Sequence, residues 1–320
     1  LMASVVFSTA PLTSAKAASE STLRKRSHSG SDTAELNRHI RYAMAFSSKS
    51  EDLNLLKANI DTAESICVEK NIEFPSSLYL LRAEYFLLTN DFRSASQEAT
   101  IAMKKSKSKG ETEILAKTMI FMGSYSRRTK FYMESISYFE NAIAIAEKNR
   151  LKNIIPASYF NLQYVYKNLG NLKEQRNSLR KLIDAASSEQ DTMFIEKGLQ
   201  VLGKTYVEDE RNFKVADSLL RKCIEIARLK KDTLYITWPM TDQGYNYYLE
   251  KEYDSSIKCY NQSLSYSVPS KLYFISANAL GNLGTIYRDL GETEKSLKYY
   301  LESIEQAKTE HIPFLNLKIP

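Results

Sequence analysis

The feature that most constrains this chain is a recurrence of small residues at a nearly constant interval. The series runs Ala43, Ala83, Gly123, Gln163, Gly203, Gly244 and Gly284, with a glutamine in the one position that is not small. Consecutive members are 40 residues apart, except for one interval of 41. An aromatic residue follows three positions later in six of the seven cases. Such self-similarity predicts a repeat array, in which each unit buries its apolar surface against its neighbours.

Each repeat contains a second set of small residues. This set follows 12 or 13 positions after the first and includes Ala95, Ser135, Ala216, Ser256 and Ser296. Spacings of three, four and seven residues place each set on one face of a helix. Glycines in the last unit and in the fourth, Gly291 and Gly170, mark turns between the two halves. The pattern therefore predicts hairpins of two helices that approach closely because the residues between them are small.

The composition agrees with an all-helical chain. The 10 Gly and 7 Pro are 17 of the 320 residues, about 5% where average usage is about 12%. So few turn-forming residues leave little room for the tight turns of β-rich folds. With 43% hydrophobic and 26% charged residues the chain can bury a large core, which excludes wholesale disorder.

The pattern resembles the tetratricopeptide repeat (TPR), and the last unit carries it most fully with Gly284, Tyr287, Ser296 and Ser303. The resemblance covers about residues 34–310. It implies an all-α, right-handed α-solenoid of about seven TPR-like hairpins. The period departs from the usual 34 residues. We place the additional residues after the last small position of each second helix, either as a longer helix or as a longer loop between hairpins. HEAT and armadillo repeats share a period near 40 but lack the paired small residues, and they remain the alternative.

The first residues of the sequence suggest where the protein acts, and both ends lie outside the repeat array. Residues 1–17 combine a short apolar run with the triplet Ala15–Ala17, a pattern typical of a secretory signal peptide and too short to span a bilayer. An apolar leader without a targeting role is the alternative. Residues 18–33 are rich in serine and predict a linker. Residues 311–320 are apolar and predict the start of a further, truncated helix. The predicted location is the periplasm or another extracytoplasmic space.

No motif in the sequence carries a recognisable chemistry. The three cysteines, Cys67, Cys223 and Cys259, form no C-x-x-C pair, and no two of the three histidines have metal-binding spacing. Phosphate-binding loops and nucleophile elbows are absent as motifs. We therefore expect no enzymatic activity, cofactor or metal in this region, and Cys223 and Cys259 are predicted to pack in the core. The net charge of +6 is mild, and we expect no nucleic-acid partner. The basic run 104–109 is predicted to be a solvated loop, and a patch for an anionic partner is the alternative.

In TPR solenoids the first helix of each hairpin lines a concave groove, so the resemblance implies a set of groove residues. They are Asn161, Tyr164, Lys197, Gln200, Lys204, Trp238, Asp242, Tyr245, Asn278, Asn282 and Arg288. Amide side chains can pair with the backbone of an extended peptide, and aromatic rings can hold its side chains. We expect Pro239 to lie in the first turn of its helix, where proline is tolerated. A hydrated face that binds nothing specific is the alternative.

The leader and the array together resemble the periplasmic TPR sensor region of bacterial transmembrane histidine kinases and helix-turn-helix regulators. This resemblance implies a non-enzymatic scaffold that binds proteins or peptides, as the sensor or interaction region of a signal-transduction protein. The alternative is a cytoplasmic TPR regulator or adaptor of the peptide-sensing type. Among chaperone-binding TPR families a five-residue carboxylate clamp is typical, but only Asn161 and Lys197 match it here, so that clamp is not predicted.

Overall fold

The computed structural model describes residues 30–46 and 53–309, and all regular structure in them is helical. The fourteen helices of these residues are α1 (Gly30–Phe46), α2 (Leu53–Glu69), α3 (Ser76–Leu88), α4 (Phe92–Lys109), α5 (Thr112–Arg128), α6 (Tyr132–Asn149), α7 (Ile154–Asn168), α8 (Leu172–Glu189), α9 (Thr192–Glu210), α10 (Phe213–Lys230), α11 (Thr233–Leu249), α12 (Tyr253–Ser267), α13 (Tyr273–Asp289) and α14 (Thr293–Thr309). The chain divides into two compact units, residues 1–90 with α1–α3 and residues 91–320 with α4–α14.

In the first unit, α1, α2 and α3 share one core. Leu36, Leu56 and Leu78, one from each helix, are at most 4% exposed. A hydrogen bond of 3.0 Å joins His39 Nδ1 of α1 to Asn59 Oδ1 of α2. Helix α1 begins at Gly30, so the last residues of the predicted linker are helical. The predicted signal peptide and the rest of the linker lie outside the described residues, as does the predicted helix start at 311–320.

In the second unit, the small residues of the repeat lie where the two helices of a hairpin meet, as predicted. A Cβ on Gly123 would come within 2.7 Å of the Phe139 ring, and one on Gly244 within 2.9 Å of the Tyr260 ring. The second small position adds a hydrogen bond, because Ser135 Oγ donates to the backbone carbonyl of Gly123 at 2.6 Å. The same bond recurs from Ser256 Oγ to the Gly244 carbonyl at 2.7 Å and from Ser296 Oγ to the Gly284 carbonyl at 2.8 Å.

The glutamine in the small-residue series is buried through a hydrogen bond to the facing helix. Gln163 of α7 is fully buried, and its side-chain oxygen accepts a hydrogen bond of 3.1 Å from Gln175 Nε2 of α8. Gln175 occupies the second small position of that hairpin. Two amides joined by one hydrogen bond therefore replace the contact between two small residues, and the buried Gln163 oxygen gains a donor.

Apolar residues of each second helix also pack on the first helix of the next hairpin. Phe139 and Ile143 of α6 join Leu162 of α7 in one buried cluster. Leu179 and Leu182 of α8 join Phe194 of α9 in another. The second helix thus packs on the first helix of its own hairpin through small residues, and on the first helix of the next hairpin through apolar residues. The core therefore continues from hairpin to hairpin.

A residue with a left-handed backbone conformation recurs about every 20 positions, in the turn that follows a helix. These residues are Asn71, Asn90, Gly110, Lys130, Arg150, Gly170, Gln190, Arg211, Lys231, Lys251, Lys271 and Gly291. Gly170 and Gly291 are the two turns predicted from the sequence. Side-chain oxygens of Asp91, Asn171, Asp191, Asn212 and Asp232 accept hydrogen bonds from backbone amides and cap the helices that follow.

The additional residues of the repeat lengthen the second helices, as predicted. Helix α6, for example, continues for seven residues beyond Ala142, the last small position of the repeat pattern, and ends at Asn149. The prediction of a solvated loop at residues 104–109 is wrong, because α4 extends to Lys109 and buries Ser106 fully. Lysine is a good helix former, and Lys107 and Lys109 lie in the last turn, where the helix dipole favours cations.

We predict different outcomes for two substitutions at equivalent glycines. Gly123→Ala should lower the free energy of unfolding by about 1–2 kcal/mol, because the added methyl group overlaps a fully buried phenylalanine ring. Gly203→Ala is the control. Its Cβ would lie 3.1 Å from Leu220, and the gain in helix propensity, about 1 kcal/mol, should offset that contact. Urea unfolding followed by far-UV circular dichroism measures both, and equal stability of Gly123→Ala and the wild type would contradict the packing.

Candidate functional site

The eleven predicted groove residues all lie on the first helices of four consecutive hairpins in the second unit. We call this set the groove strip; it consists of Asn161 and Tyr164 on α7, Lys197, Gln200 and Lys204 on α9, Trp238, Asp242 and Tyr245 on α11, and Asn278, Asn282 and Arg288 on α13. Nine of the eleven are half-buried, whereas Tyr245 and Arg288 are exposed. The half-buried side chains therefore pack on neighbouring residues and keep part of their surface exposed to solvent.

At its first step the strip connects α7 to α5. Ser124 Oγ donates to Asn161 Oδ1 at 3.4 Å, and the Arg127 guanidinium carbon lies 5.5 Å from the centre of the Tyr164 ring. Burial lowers the pKa of Arg127, and the negative charge that Tyr164 can acquire acts against that shift. The cation is thus held against an aromatic face rather than in a pair with a carboxylate.

Two phenylalanines make the next connection, between α7 and α9. The rings of Phe160 and Phe194 are 6.1 Å apart in an edge-to-face arrangement. Lys197 Nζ lies 5.4 Å from the centre of each ring. Burial lowers the pKa of Lys197, because few water molecules reach its ammonium group, and Asp191 acts against that shift. The ammonium group of Lys197 therefore packs against two aromatic rings.

The strip continues to α11 and α13. Gln200 Nε2 of α9 donates to Asp242 Oδ2 of α11 at 3.0 Å. The indole of Trp238 packs on Phe274 of α13, with ring centres 5.6 Å apart. Tyr245 stacks on Tyr248 at 6.3 Å. These contacts join every pair of neighbouring first helices from α5 to α13.

Tyr248 forms a polar contact at the α13 end of the strip. Its hydroxyl donates to Asp289 Oδ2 at 2.7 Å, and Arg288 Nη2 donates to Asp289 Oδ1 at 3.0 Å. Burial and the bond to the aspartate raise the pKa of Tyr248 to about 12. The hydrogen bond from Tyr248 lowers the pKa of Asp289, so this carboxylate stays ionised beside Arg288.

No contact with another first helix is recorded for Lys204, Asn278 or Asn282. Lys204 Nζ lies 3.9 Å from Glu208 Oε1 on its own helix, and Asn278 Nδ2 donates to the Phe274 carbonyl of its own helix at 2.8 Å. Within residues 30–46 and 53–309, the amide of Asn282 has no protein hydrogen-bond partner. Its donor and acceptor are both available to a ligand.

The prediction for Pro239 is wrong. Helix α11 begins at Thr233, so Pro239 lies inside the helix and beyond its first turn. The helix starts early because the Asp232 side chain accepts a hydrogen bond from the Tyr235 amide at 3.2 Å and caps it there. Pro239 removes one backbone donor, and the Thr237 hydroxyl donates to the Thr233 carbonyl at 2.9 Å in the turn before it.

Sequence reasoning missed the aromatic and cationic residues on which the strip rests. These are Arg127, Phe160, Phe194 and Phe274. Arg127, Phe160 and Phe274 each touch a strip residue 36 or 37 positions away. Phe194 instead touches Lys197 of its own helix and the ring of Phe160 on α7. A search for aromatic or basic residues about one repeat before or after each strip position would have found them.

Several groups that can act in catalysis are buried among the described residues. The carboxylate of Glu196 is fully buried and pairs with Lys230 Nζ at 2.7 Å. Cys223, Cys259 and Cys67 are free thiols and are buried, as predicted for the first two. In the same residues no group of three or more His, Cys, Asp or Glu side chains has the arrangement of a metal site.

Thiol reactivity provides a test of this burial. Burial and the nearby Glu196 carboxylate raise the pKa of Cys223 to about 12, and burial raises that of Cys259 to about 11. We predict that Ellman's reagent at pH 8 labels none of the three cysteines in the native protein and all three in denaturant. Rapid labelling of one native cysteine would contradict the packing.

Comparison with known proteins agrees with the hairpin architecture. The sequence profile of the tetratricopeptide repeat matches residues 156–189 and 277–310. The two matched segments lie in the α7–α8 hairpin and the α13–α14 hairpin. No curated protein matches it by sequence. No helix in residues 30–46 and 53–309 combines the length and the apolar character that a membrane crossing requires.

Three solved structures have a similar fold. The apo form of RapI superposes with a TM-score of 0.69 at 14% identity, covering 86% of this chain and 77% of RapI. A Rap protein complexed with Competence and Sporulation Factor gives 0.58 at 14% identity, covering 87% and 76%. NprR in complex with its cognate peptide NprX gives 0.55 at 14% identity, covering 90% and 82%. The fold is a TPR-like α-solenoid, as the sequence predicted.

Proposed function

We propose that this chain is a non-enzymatic TPR regulator or adaptor that binds an extended peptide, or an extended segment of a partner protein, along the groove strip. The observation that carries the proposal is the continuity of the strip. Side chains of neighbouring first helices touch at every step from α5 to α13, so polar and aromatic groups form one uninterrupted surface.

The chemistry of the strip suits a peptide backbone. Asn282 has an amide whose donor and acceptor are available, and Asn278 keeps its side-chain oxygen available after donating to its own helix. Amides of this kind pair with backbone N–H and C=O groups, and the exposed ring of Tyr245 offers apolar surface to a side chain. Neighbouring packed helices are about 8–10 Å apart, or about three residues of extended chain. The strip from α7 to α13 therefore accommodates about nine residues.

Solved structures of similar fold support the peptide ligand. NprR was crystallised with its cognate peptide NprX, and it covers 90% of this chain. Because its identity to this chain is 14%, the likeness concerns the fold, and the ligand itself is part of our proposal.

Peptides selected from a random library against the wild-type protein provide the test. Trp238, the sole tryptophan, lies within the strip, so its fluorescence reports binding directly. We predict that Tyr245→Ala and Asn282→Ala each weaken binding of the selected peptides at least about tenfold, as expected for central contact residues. Both side chains lie at the surface of the strip, so the thermal unfolding midpoint should remain close to that of the wild type.

The chain offers matched controls on α12, a second helix outside the strip. Tyr266 is 38% exposed, as is Tyr245, and Asn261 is exposed as well. Tyr266→Ala and Asn261→Ala should leave peptide affinity unchanged. The proposal fails if the strip variants bind as well as the wild type, or if the α12 variants lose as much affinity as the strip variants.

The extracytoplasmic sensor predicted from the sequence is a second candidate, and it differs from the first in compartment. Residues 1–17, with the features of a secretory signal, favour it. The test is fractionation of cells that express the natural protein with and without these residues. A secretory signal predicts export that is lost with the deletion, whereas retention of both forms in the cytoplasm would exclude the extracytoplasmic sensor.

A further inference from the structure

A cleft of about 260 Å³ lies between the α5–α6 hairpin and the α7–α8 hairpin, and no part of the groove strip lines it. Its walls come from α6, α7 and α8. The charged and aromatic side chains of the lining are Glu140, Glu147, Tyr159, Tyr166, Glu174 and Lys181. We call this feature the tyrosine cleft. Its wall combines two aromatic rings with three carboxylates.

In the two following hairpins, an arginine of this chain fills the equivalent place. Arg180 Nη2 of α8 donates to the Tyr206 hydroxyl of α9 at 2.5 Å. Arg221 Nη2 of α10 donates to the Tyr247 hydroxyl of α11 at 2.8 Å. Both arginines precede their tyrosine by 26 residues. A guanidinium group against a tyrosine, joining one hairpin to the next, is therefore a repeated feature of this array.

The tyrosine cleft breaks this pattern. The residue 26 positions before Tyr166 is Glu140, so a carboxylate stands where the neighbouring hairpins have a guanidinium. Within residues 30–46 and 53–309, neither Glu140 nor Glu147 has an ion-pair or hydrogen-bond partner, and the Tyr166 hydroxyl has none either. The chain thus keeps the tyrosine of the repeated contact and supplies a carboxylate beside it, but not the cation.

The electrostatics of the cleft favour a cation. Burial is the largest cause that raises the pKa of Tyr166, and the negative charges of Glu140 and Glu174 raise it further. Burial is also the largest cause that raises the pKa of Tyr159, and the negative charges of Glu147 and Glu140 add to it. Lys181 is the one cation in the lining, and its Nζ lies 5.6 Å from the centre of the Tyr159 ring. Three carboxylates against one ammonium leave the lining negative.

We propose that the tyrosine cleft binds the guanidinium group of an arginine side chain on a partner polypeptide. This group takes the place that Arg180 and Arg221 occupy in the following hairpins, donates to the Tyr166 hydroxyl and pairs with Glu140. Arginine fits better than lysine, because a planar guanidinium stacks on a tyrosine ring while its N–H groups bond a carboxylate in the same plane. The inference does not depend on peptide binding at the groove strip.

Methylguanidinium is the probe for the test. We predict that it shifts the backbone amide resonances around Glu140 and Tyr166 in a saturable way, with an apparent Kd in the range of about 1–10 mM for so small a ligand. Methylurea has the same shape without the charge and, at matched ionic strength, should produce no saturable shift at these positions.

Two substitutions at Glu140 should both reduce methylguanidinium binding, but to different degrees. Glu140→Arg restores the arginine found in the following hairpins, so it should abolish methylguanidinium binding while the protein stays at least as stable to heat. Glu140→Gln removes the charge alone and should weaken binding about five- to tenfold. Glu134→Arg is the matched control, because Glu134 is an exposed residue of α6 that does not line the cleft.

Three outcomes would overturn the proposal. They are the absence of a saturable shift in the wild type, equal shifts with methylurea, and equal loss of binding in Glu134→Arg and Glu140→Arg. The last result would mean that the net charge of the surface, rather than the cleft, attracts the cation. The groove-strip variants Tyr245→Ala and Asn282→Ala should bind methylguanidinium at the cleft as the wild type does, so the two proposals fail separately.

Discussion

The close approach of two helices at small residues is the contact on which the second unit depends. At Gly123, Gly244 and Gly284 an aromatic ring of the partner helix lies where a side chain would otherwise stand. A serine of the partner helix then bonds the glycine carbonyl, at 2.6–2.8 Å in all three hairpins. This bond satisfies a buried hydroxyl without the volume of a larger side chain. Shape and hydrogen bonding together fix the angle and the register of each hairpin.

Fixed hairpins place the same helix positions next to each other at every step. The first helices present one row of side chains, which is the groove strip, and the second helices present another, which includes Glu140, Arg180 and Arg221. Because the backbone contacts repeat, substitutions within these rows change surface chemistry without changing the fold. Arg221 ties its hairpin to the next through Tyr247, whereas Glu140 leaves the tyrosine cleft open. The array thus carries two surfaces of different chemistry on one scaffold.

Much of the candidate site could be predicted from the sequence, because the strip follows from the repeat position of each residue. The neighbours of those residues could not be predicted in the same way. Lys197 was expected to face a ligand, but it lies between Phe160 and Phe194 on two helices. The Pro239 assignment failed because all the additional residues of the repeat were placed in or after the second helices. The longer repeat starts α11 at Thr233 instead, where Asp232 caps it.

The sequence by itself determined the all-helical fold, the period of about 40 residues and the positions where the helices of a hairpin meet. It could do so because a periodic pattern of small and apolar residues is a local property that recurs along the chain. Only the tertiary structure decided which side chains meet across hairpins, such as Gln200 with Asp242 and Trp238 with Phe274. These partners are 42 and 36 residues apart. Their contact depends on side-chain directions that are set by the packing of whole helices.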